Sequence, residues 1–223
     1  MDFSYAHNDT SRPERPSRTA NLNKLTISPL LEGIRKSAFE RSIPVSSDET
    51  LQFLLVQARA INAKTILEVG TAIGASGIAL LQALPQARLI TIEKNKDFLR
   101  EAEQNFAKAG VEDRVTLFEG DAAEILPSLE MDCDLIFLEG PKVQYVKWLP
   151  HLKRLLKAGG VILADDILMY GSVNGEEPVP PKRRMLVEHI KEYIAAVQSD
   201  GGLLTYIADI GNGMAVSVKT DEC

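Results

Sequence analysis

Short apolar runs at 65–69, 89–93, 115–119, 135–139 and 161–165 alternate with longer stretches of helical period. The runs predict buried strands. The intervening segments at 76–84, 96–109, 122–126 and 145–156 predict helices, and Gly159-Gly160 reads as the stop of the last one. Strand–helix alternation of this kind predicts a parallel sheet covered by helices on both faces. Upstream, 22–39 carries a helical pattern interrupted by Pro29. Ser47-Asp48-Glu49 opens a second helix that reaches about Ile61, with Leu51, Leu54, Leu55 and Ala58 on one face. Downstream the pattern changes. An amphipathic helix at 182–197 precedes two short runs, 203–209 and 214–218, joined by Gly211-Asn212-Gly213, and these predict a hairpin. The predicted fold class is therefore α/β: a mostly parallel, seven-stranded sheet with an antiparallel C-terminal hairpin at its edge.

Residues 1–21 are rich in Asn, Ser, Thr, Pro and Arg and predict a flexible tail, leaving 22–223 as one domain. A chain of 223 residues can bury a sizeable core, and 45% hydrophobic with 25% charged residues is ordinary for a soluble protein. No apolar run approaches the roughly 20 residues of a membrane span, and the polar N-terminus does not read as a signal peptide. Two cysteines, Cys133 in a predicted strand and Cys223 at the end, make no disulfide framework, which predicts a cytoplasmic setting. The net charge of −6 argues against broad affinity for nucleic acid. Two basic clusters remain: Arg12, Arg15, Arg18 and Lys24, and Lys182-Arg183-Arg184.

The chemistry begins where the first strand ends, at Glu68-Val69-Gly70-Thr71-Ala72-Ile73-Gly74-Ala75-Ser76. Two glycines four apart, between a strand and a helix start, let a ligand lie against bare backbone near the positive end of a helix. A nicotinamide-type turn needs Gly-x-Gly-x-x-Gly, and Ala72 breaks it. Ligands of open α/β sheets bind beyond the carboxyl ends of the strands. Glu93 ends the second strand and can accept from ribose hydroxyls. Asp121 follows the third, where it can accept from an adenine amine, cap the next helix, or do both. Glu139 ends the fourth strand, and Asp165 and Asp166 end the fifth. Three carboxylates brought together repel one another unless a cation sits among them, and Mg²⁺ is the economical choice for oxygen ligands. Lys142, beside such a cation, would take a proton from a substrate hydroxyl. Alternatively, Asp165 and Asp166 merely cap the following loop.

The glycine turn resembles the first motif of the S-adenosylmethionine-dependent methyltransferases. From Ser46 to Val218 the chain resembles the metal-dependent O-methyltransferases of the catechol and caffeoyl-CoA type. Their bacterial branch includes enzymes that methylate 5-hydroxyuridine in tRNA. Glu139, Lys142 and Tyr145 match the spacing of that family's strand-four motif. Gly159-Gly160 through Asp165-Asp166 match its strand-five signature, and Gly211 and Gly213 its C-terminal turn. The resemblance implies a Rossmann-like methyltransferase sheet, S-adenosyl-L-methionine as methyl donor, a divalent cation and a homodimer. It also implies cofactor contacts from Ser46, Glu68, Gly70, Thr71, Gly74, Ser76, Glu93, Asp121, Ala122 and Glu139. Metal ligation falls to Glu139, Asp165 and Asp166, catalysis to Lys142, and substrate contact to Tyr170. Glu139 replaces the family's Asp, Asp166 its Asn, and Pro141 a residue that is usually polar or small.

Two acceptor classes stay open: a hydroxylated aromatic small molecule, and a tRNA nucleoside whose phosphates would meet Arg183, its neighbours and the basic tail. A further alternative of another class is a protein that binds S-adenosylmethionine without catalysis, its metal site having drifted. The amphipathic 22–39 segment would cover its own site or dock on a second copy.

Overall fold

A computed structural model describes residues 24–220. The predicted tail, the basic residues Arg12, Arg15 and Arg18, and Cys223 lie outside the described residues. Five parallel strands, β1 (Thr65–Val69), β2 (Arg88–Glu93), β3 (Val115–Glu119), β4 (Cys133–Leu138) and β5 (Leu156–Ala164), are joined by β6 (Leu203–Ala208) and β7 (Met214–Lys219). The sheet order is β3-β2-β1-β4-β5-β7-β6, with β7 antiparallel to both β5 and β6. The predicted α/β class and its hairpin edge are borne out.

Period-two alternation divides the strands between two cores, as strands buried on both faces require. Ile66, Leu135, Phe137, Val161 and Leu163 join the core under α1 (Pro29–Glu40), α2 (Asp48–Ala60), α3 (Ala75–Ala83) and α4 (Lys96–Ala109). Leu67, Ile136, Leu138, Ile162 and Ala164 join the opposite core. It lies under α5 (Ala122–Ile125), α6 (Tyr145–Leu155) and α7 (Arg184–Ser199). Each Leu- or Ile-sized side chain so buried contributes about 1.5–3 kcal/mol. Adjacent residues of one strand thus hold opposite helical layers in place, and the strand ends are fixed relative to each other.

Three local differences from the sequence expectation have plain causes. Pro29 does not interrupt a helix but starts one. It sits in the first turn, where a missing N–H costs nothing, and Ser28 caps it by accepting from Leu31 N at 3.3 Å. Gly159-Gly160 do not stop α6, which has already ended at Leu155. They lie inside β5, where Leu156 pairs with Cys133 and Val161 with Leu135, so extra residues loop out of register. Gly159, at φ +74°, supplies the conformation that this bulge needs. The predicted 182–197 helix begins two residues later, after a 3-10 turn at Pro181–Arg183.

Candidate active site

The carboxyl ends of β1 to β5 open into a cavity of about 1110 Å³. One wall is the glycine turn. Gly70 lies at φ +103°, and a Cβ there would stand 3.0 Å from the backbone carbon of Glu139, so the turn presses directly on the end of β4. Glu93 is buried at the end of β2 and lines the same wall. Its carboxylate accepts from Ala72 N at 2.8 Å and from Asn95 N at 2.7 Å, which fixes both oxygens relative to the turn. Asp121 caps α5 by accepting from Ala123 N at 2.9 Å and also lines the cavity, with Ala122 and Gly120 beside it. Both roles foreseen for Asp121 are therefore geometrically compatible.

Glu68, Thr71, Gly74 and Ser76 are buried around the glycine turn and are not among the residues that line the cavity. Glu68 is fully buried; Ser76 Oγ donates to its Oε1 at 2.5 Å and Thr91 Oγ1 to its Oε2 at 2.6 Å. Thr71 Oγ1 meets Thr91 Oγ1 at 2.5 Å. Gly74 takes the left-handed conformation, φ +85°, at the cap of α3. This hydroxyl network braces the glycine turn from below. Burial drives the Glu68 carboxyl up to about 8 against the help of the two hydroxyls, with Glu139 and Glu93 adding to the rise. The reason lies in depth: Glu68 pairs with Thr91, two positions short of Glu93, within a strand covered on both faces.

The second wall carries the acids. Glu139, Asp165 and Asp166 all line the cavity with Lys142. Lys142 opens a 3-10 turn, Lys142–Gln144, is 4% exposed, and reaches Asp166 Oδ2 at 3.3 Å. Ser46 Oγ donates to Glu139 Oε1. Burial raises the Glu139 carboxyl; the Ser46 hydrogen bond, Lys142 and Arg35 oppose the rise while Asp166 adds to it. Asp165 rises well above the usual range, through burial first and then the charges of Asp166 and Glu139. Asp166 takes φ +61°, a left-handed conformation more natural to the Asn of the related motif. Beneath this wall Tyr145 is buried and donates from its hydroxyl to Leu138 O at 3.0 Å, one residue before Glu139.

The donor set fits a hard divalent cation chemically, since three carboxylates face one lysine. Among the described residues, no group of three or more His, Cys, Asp and Glu is closed up as a ligand cluster.

A third side of the cavity comes from α1 and the segments on either side of it, including Lys24, Arg35, Lys36, Phe39 and Ile43. The 22–39 segment, where described, covers this chain's own cavity. Arg35 pairs with Asp48 at 2.5 Å, and Arg41 pins α1 to Glu101 of α4 at 2.5 and 3.0 Å. Tyr170 lines the cavity after β5, in a left-handed turn.

Arg183 ends the 3-10 turn ahead of α7 and is not among the residues that line the cavity. Sequence reading missed Thr50, Arg35 and Asn212, which also line the cavity. Thr50 stands at the third position after the Ser47 cap, a spacing that places it on the first turn of α2; nothing in the sequence marks the other two.

Fold and site together define a ligand-binding α/β domain with a glycine turn and a carboxylate–lysine centre in one cavity. The chain belongs to the O-methyltransferase family, whose pattern it matches over residues 20–220. A catechol O-methyltransferase of Mycobacterium tuberculosis is 34% identical over 158 residues, 67% of this chain and 72% of that protein. A caffeoyl-CoA O-methyltransferase of Populus kitakamiensis is 31% identical over 183 residues, 78% of this chain and 77% of its own. Among solved structures, the O-methyltransferase TomG of Streptomyces achromogenes, involved in tomaymycin synthesis and solved in complex with S-adenosylmethionine, superposes with a TM-score of 0.77. The match is at 25% identity and covers 88% of this chain and 92% of that one. No helix among the described residues is long and apolar enough to cross a membrane.

Proposed function

We propose that the chain is an S-adenosylmethionine-dependent O-methyltransferase, assisted by a divalent cation such as Mg²⁺, acting on a hydroxylated aromatic acceptor. The observation that carries this reading is the convergence of Glu139, Asp165, Asp166 and Lys142 on the cavity that Gly70, Glu93 and Asp121 also line. Bound S-adenosylmethionine would supply an electrophilic methyl group. Gly70 would give its methionine portion bare backbone, Glu93 would accept from ribose hydroxyls, and Asp121 and Ala122 would lie by the base. Glu68, Thr71, Gly74 and Ser76 hold the turn that makes those contacts. A divalent cation held by Glu139, Asp165 and Asp166 would supply Lewis acidity toward the acceptor oxygen.

Lys142, in its neutral form, takes the proton of the acceptor hydroxyl, and Asp166 at 3.3 Å stabilises the ammonium that results. Bound S-adenosylmethionine would supply the methyl group to that oxygen while Lys142 holds the proton beside Asp166. Burial of Asp165 and Lys142 limits the water that reaches this exchange. Tyr170, Phe39 and Ile43 give an aromatic ring an apolar seat. Relatives named for catechol and caffeoyl-CoA favour a small acceptor. A 5-hydroxyuridine in tRNA is the second reading, supported by Lys24 and Lys36, both exposed at the cavity, where phosphates could be met. The family likeness also implies a homodimer, and the buried free thiol of Cys133 suits a reducing cytoplasm.

Calorimetric titration with S-adenosylmethionine, in Mg²⁺ and in EDTA, tests the reading. It is to be followed by turnover of 3,4-dihydroxybenzoate and of hypomodified tRNA. Cofactor binding with chelator-sensitive methylation is expected. Cofactor binding with no turnover of either acceptor would favour a non-catalytic binding protein, and no cofactor binding would overturn the proposal.

A further inference from the structure

We infer that Thr50 is a positioning residue for Asp165, aimed by the α2 cap and held in place by the turn between β6 and β7. The inference rests on the proposed function and adds a part of the machinery that lies outside the strand ends. Thr50 is 1% exposed and lines the cavity. Its Oγ1 donates to Asp165 Oδ1 at 3.3 Å. Ser47 Oγ in turn donates to Thr50 Oγ1 at 3.1 Å. With one lone pair engaged by Ser47, the Thr50 proton is directed at the carboxylate, and the two hydroxyls form a one-way chain into the acid.

Helix capping does not explain this chain. Ser47 already caps α2 by accepting from Thr50 N at 3.1 Å, and the Thr50 hydroxyl is not needed for that. The other side of Thr50 is closed by Gly211. A Cβ at Gly211 would stand 2.5 Å from Thr50 Oγ1 and 3.1 Å from Ser47 Oγ, and Gly211 N donates to Glu49 Oε2 at 3.2 Å. The β6–β7 turn therefore lies directly against the hydroxyl pair and leaves it little room to rotate. The carboxylate at the end of β5 is thus oriented by a helix that precedes β1 and by a turn near the end of the chain. Ser46 does the same for Glu139 from the same helix start. Two of the three acids are gripped by one capping segment.

The test compares Thr50→Val, which keeps the branched shape and removes the hydroxyl, with Thr50→Ser, which restores it. Four quantities are measured against the unmodified protein: kcat and KM with 3,4-dihydroxybenzoate, calorimetric Kd for S-adenosylmethionine, calorimetric Kd for Mg²⁺, and melting temperature. Thr50→Val should lower kcat and Mg²⁺ affinity by about tenfold or more, the usual effect of losing a group that orients a ligating carboxylate. Its affinity for S-adenosylmethionine should stay within about twofold, and Thr50→Ser should recover most of the loss. If Thr50→Val does not fold, Gly211→Ala is the second variant, with the same selective loss expected from displacement of the hydroxyl. Unmodified kcat and Mg²⁺ affinity in Thr50→Val would overturn the inference, as would a Thr50→Ser variant as impaired as the valine. An unmodified protein that binds S-adenosylmethionine but neither takes Mg²⁺ nor methylates any acceptor would overturn the proposed function itself, and this inference with it.

Discussion

Glu68, in β1, and Asp165, just past the end of β5, are both buried acids of one sheet, with β4 between their strands, yet their surroundings differ in kind. Glu68 has two hydroxyl donors, from Ser76 and Thr91, and no cation at hand. Asp165 has one donated hydroxyl, from Thr50, and sits with Glu139, Asp166 and Lys142 around a cavity. An isolated buried acid escapes the cost of its charge by keeping its proton. A cluster of acids open to a cavity is better relieved by a cation brought to it. The first arrangement builds a rigid turn, and the second builds a reactive centre. Their difference teaches which buried acids carry chemistry: those that share a cavity with each other and with a lysine.

The sharpest way to break that comparison is to remove an acid at the reactive end. Asp165→Ala should lower methyl transfer by about 10²-fold or more, since a carboxylate aimed at developing charge is lost. Cofactor affinity should be spared, because Gly70, Glu93 and Asp121 stand on the other wall. Steady-state kinetics beside calorimetry separates the two effects, and unchanged turnover would refute the assignment.

Glu93→Ala cuts the other way. It removes an acceptor that holds Ala72 N and Asn95 N and faces the expected ribose. Losing hydrogen bonds to a charged acceptor costs about 1.5–3 kcal/mol, so the Kd for S-adenosylmethionine should rise by roughly ten- to hundredfold, with kcat at saturation less affected. An unaltered dissociation constant would sink the ribose role.

How much of this was legible in the sequence follows from the range over which each signal acts. The strands were legible because apolar runs and their terminal acids are local, and β1 and β3 fall on the predicted residues. The convergence of Glu139, Asp165 and Asp166 followed from strand adjacency. What the pattern could not show is which side chains reach the cavity. Glu68 reads like Glu93, an acid at the end of an apolar run. It lies one residue before the end of its strand, however, while Glu93 is the last residue of its own. Glu68 pairs with Thr91, so both acids face the same side of the sheet, and Glu93, two positions farther along, reaches the cavity while Glu68 does not. Thr50 was illegible for a different reason. Its partner Asp165 lies 115 residues away, and only the tertiary fold joins them. A basic cluster such as Lys182-Arg183-Arg184 shows charge and not direction, and Arg183 does not line the cavity.

The smallest expected effect sharpens the comparison most, because it tests the quiet member of the pair. Glu68 titrates near 8 in the fold against an ordinary value of 4.5. The folded state therefore binds the Glu68 proton more tightly than the unfolded chain does. Its contribution to stability is full below about 4.5 and is lost as pH rises toward about 8. Glu68→Gln keeps the shape and stays neutral throughout. Its amide oxygen accepts from one hydroxyl while its amide nitrogen donates to the other, since Ser76 and Thr91 can each reverse roles. Other raised acids, Glu139 and Asp165 among them, add a slope of the same sign. The informative quantity is therefore the difference between variant and unmodified protein. Urea unfolding at pH 5 and at pH 8 should show Glu68→Gln close to the unmodified protein at the lower pH. At the higher pH it should be more stable, by an amount on the order of 1–4 kcal/mol. Parallel losses in both proteins would mean that Glu68 is ionised in the fold and that its network, like the acids across the cavity, carries a charge.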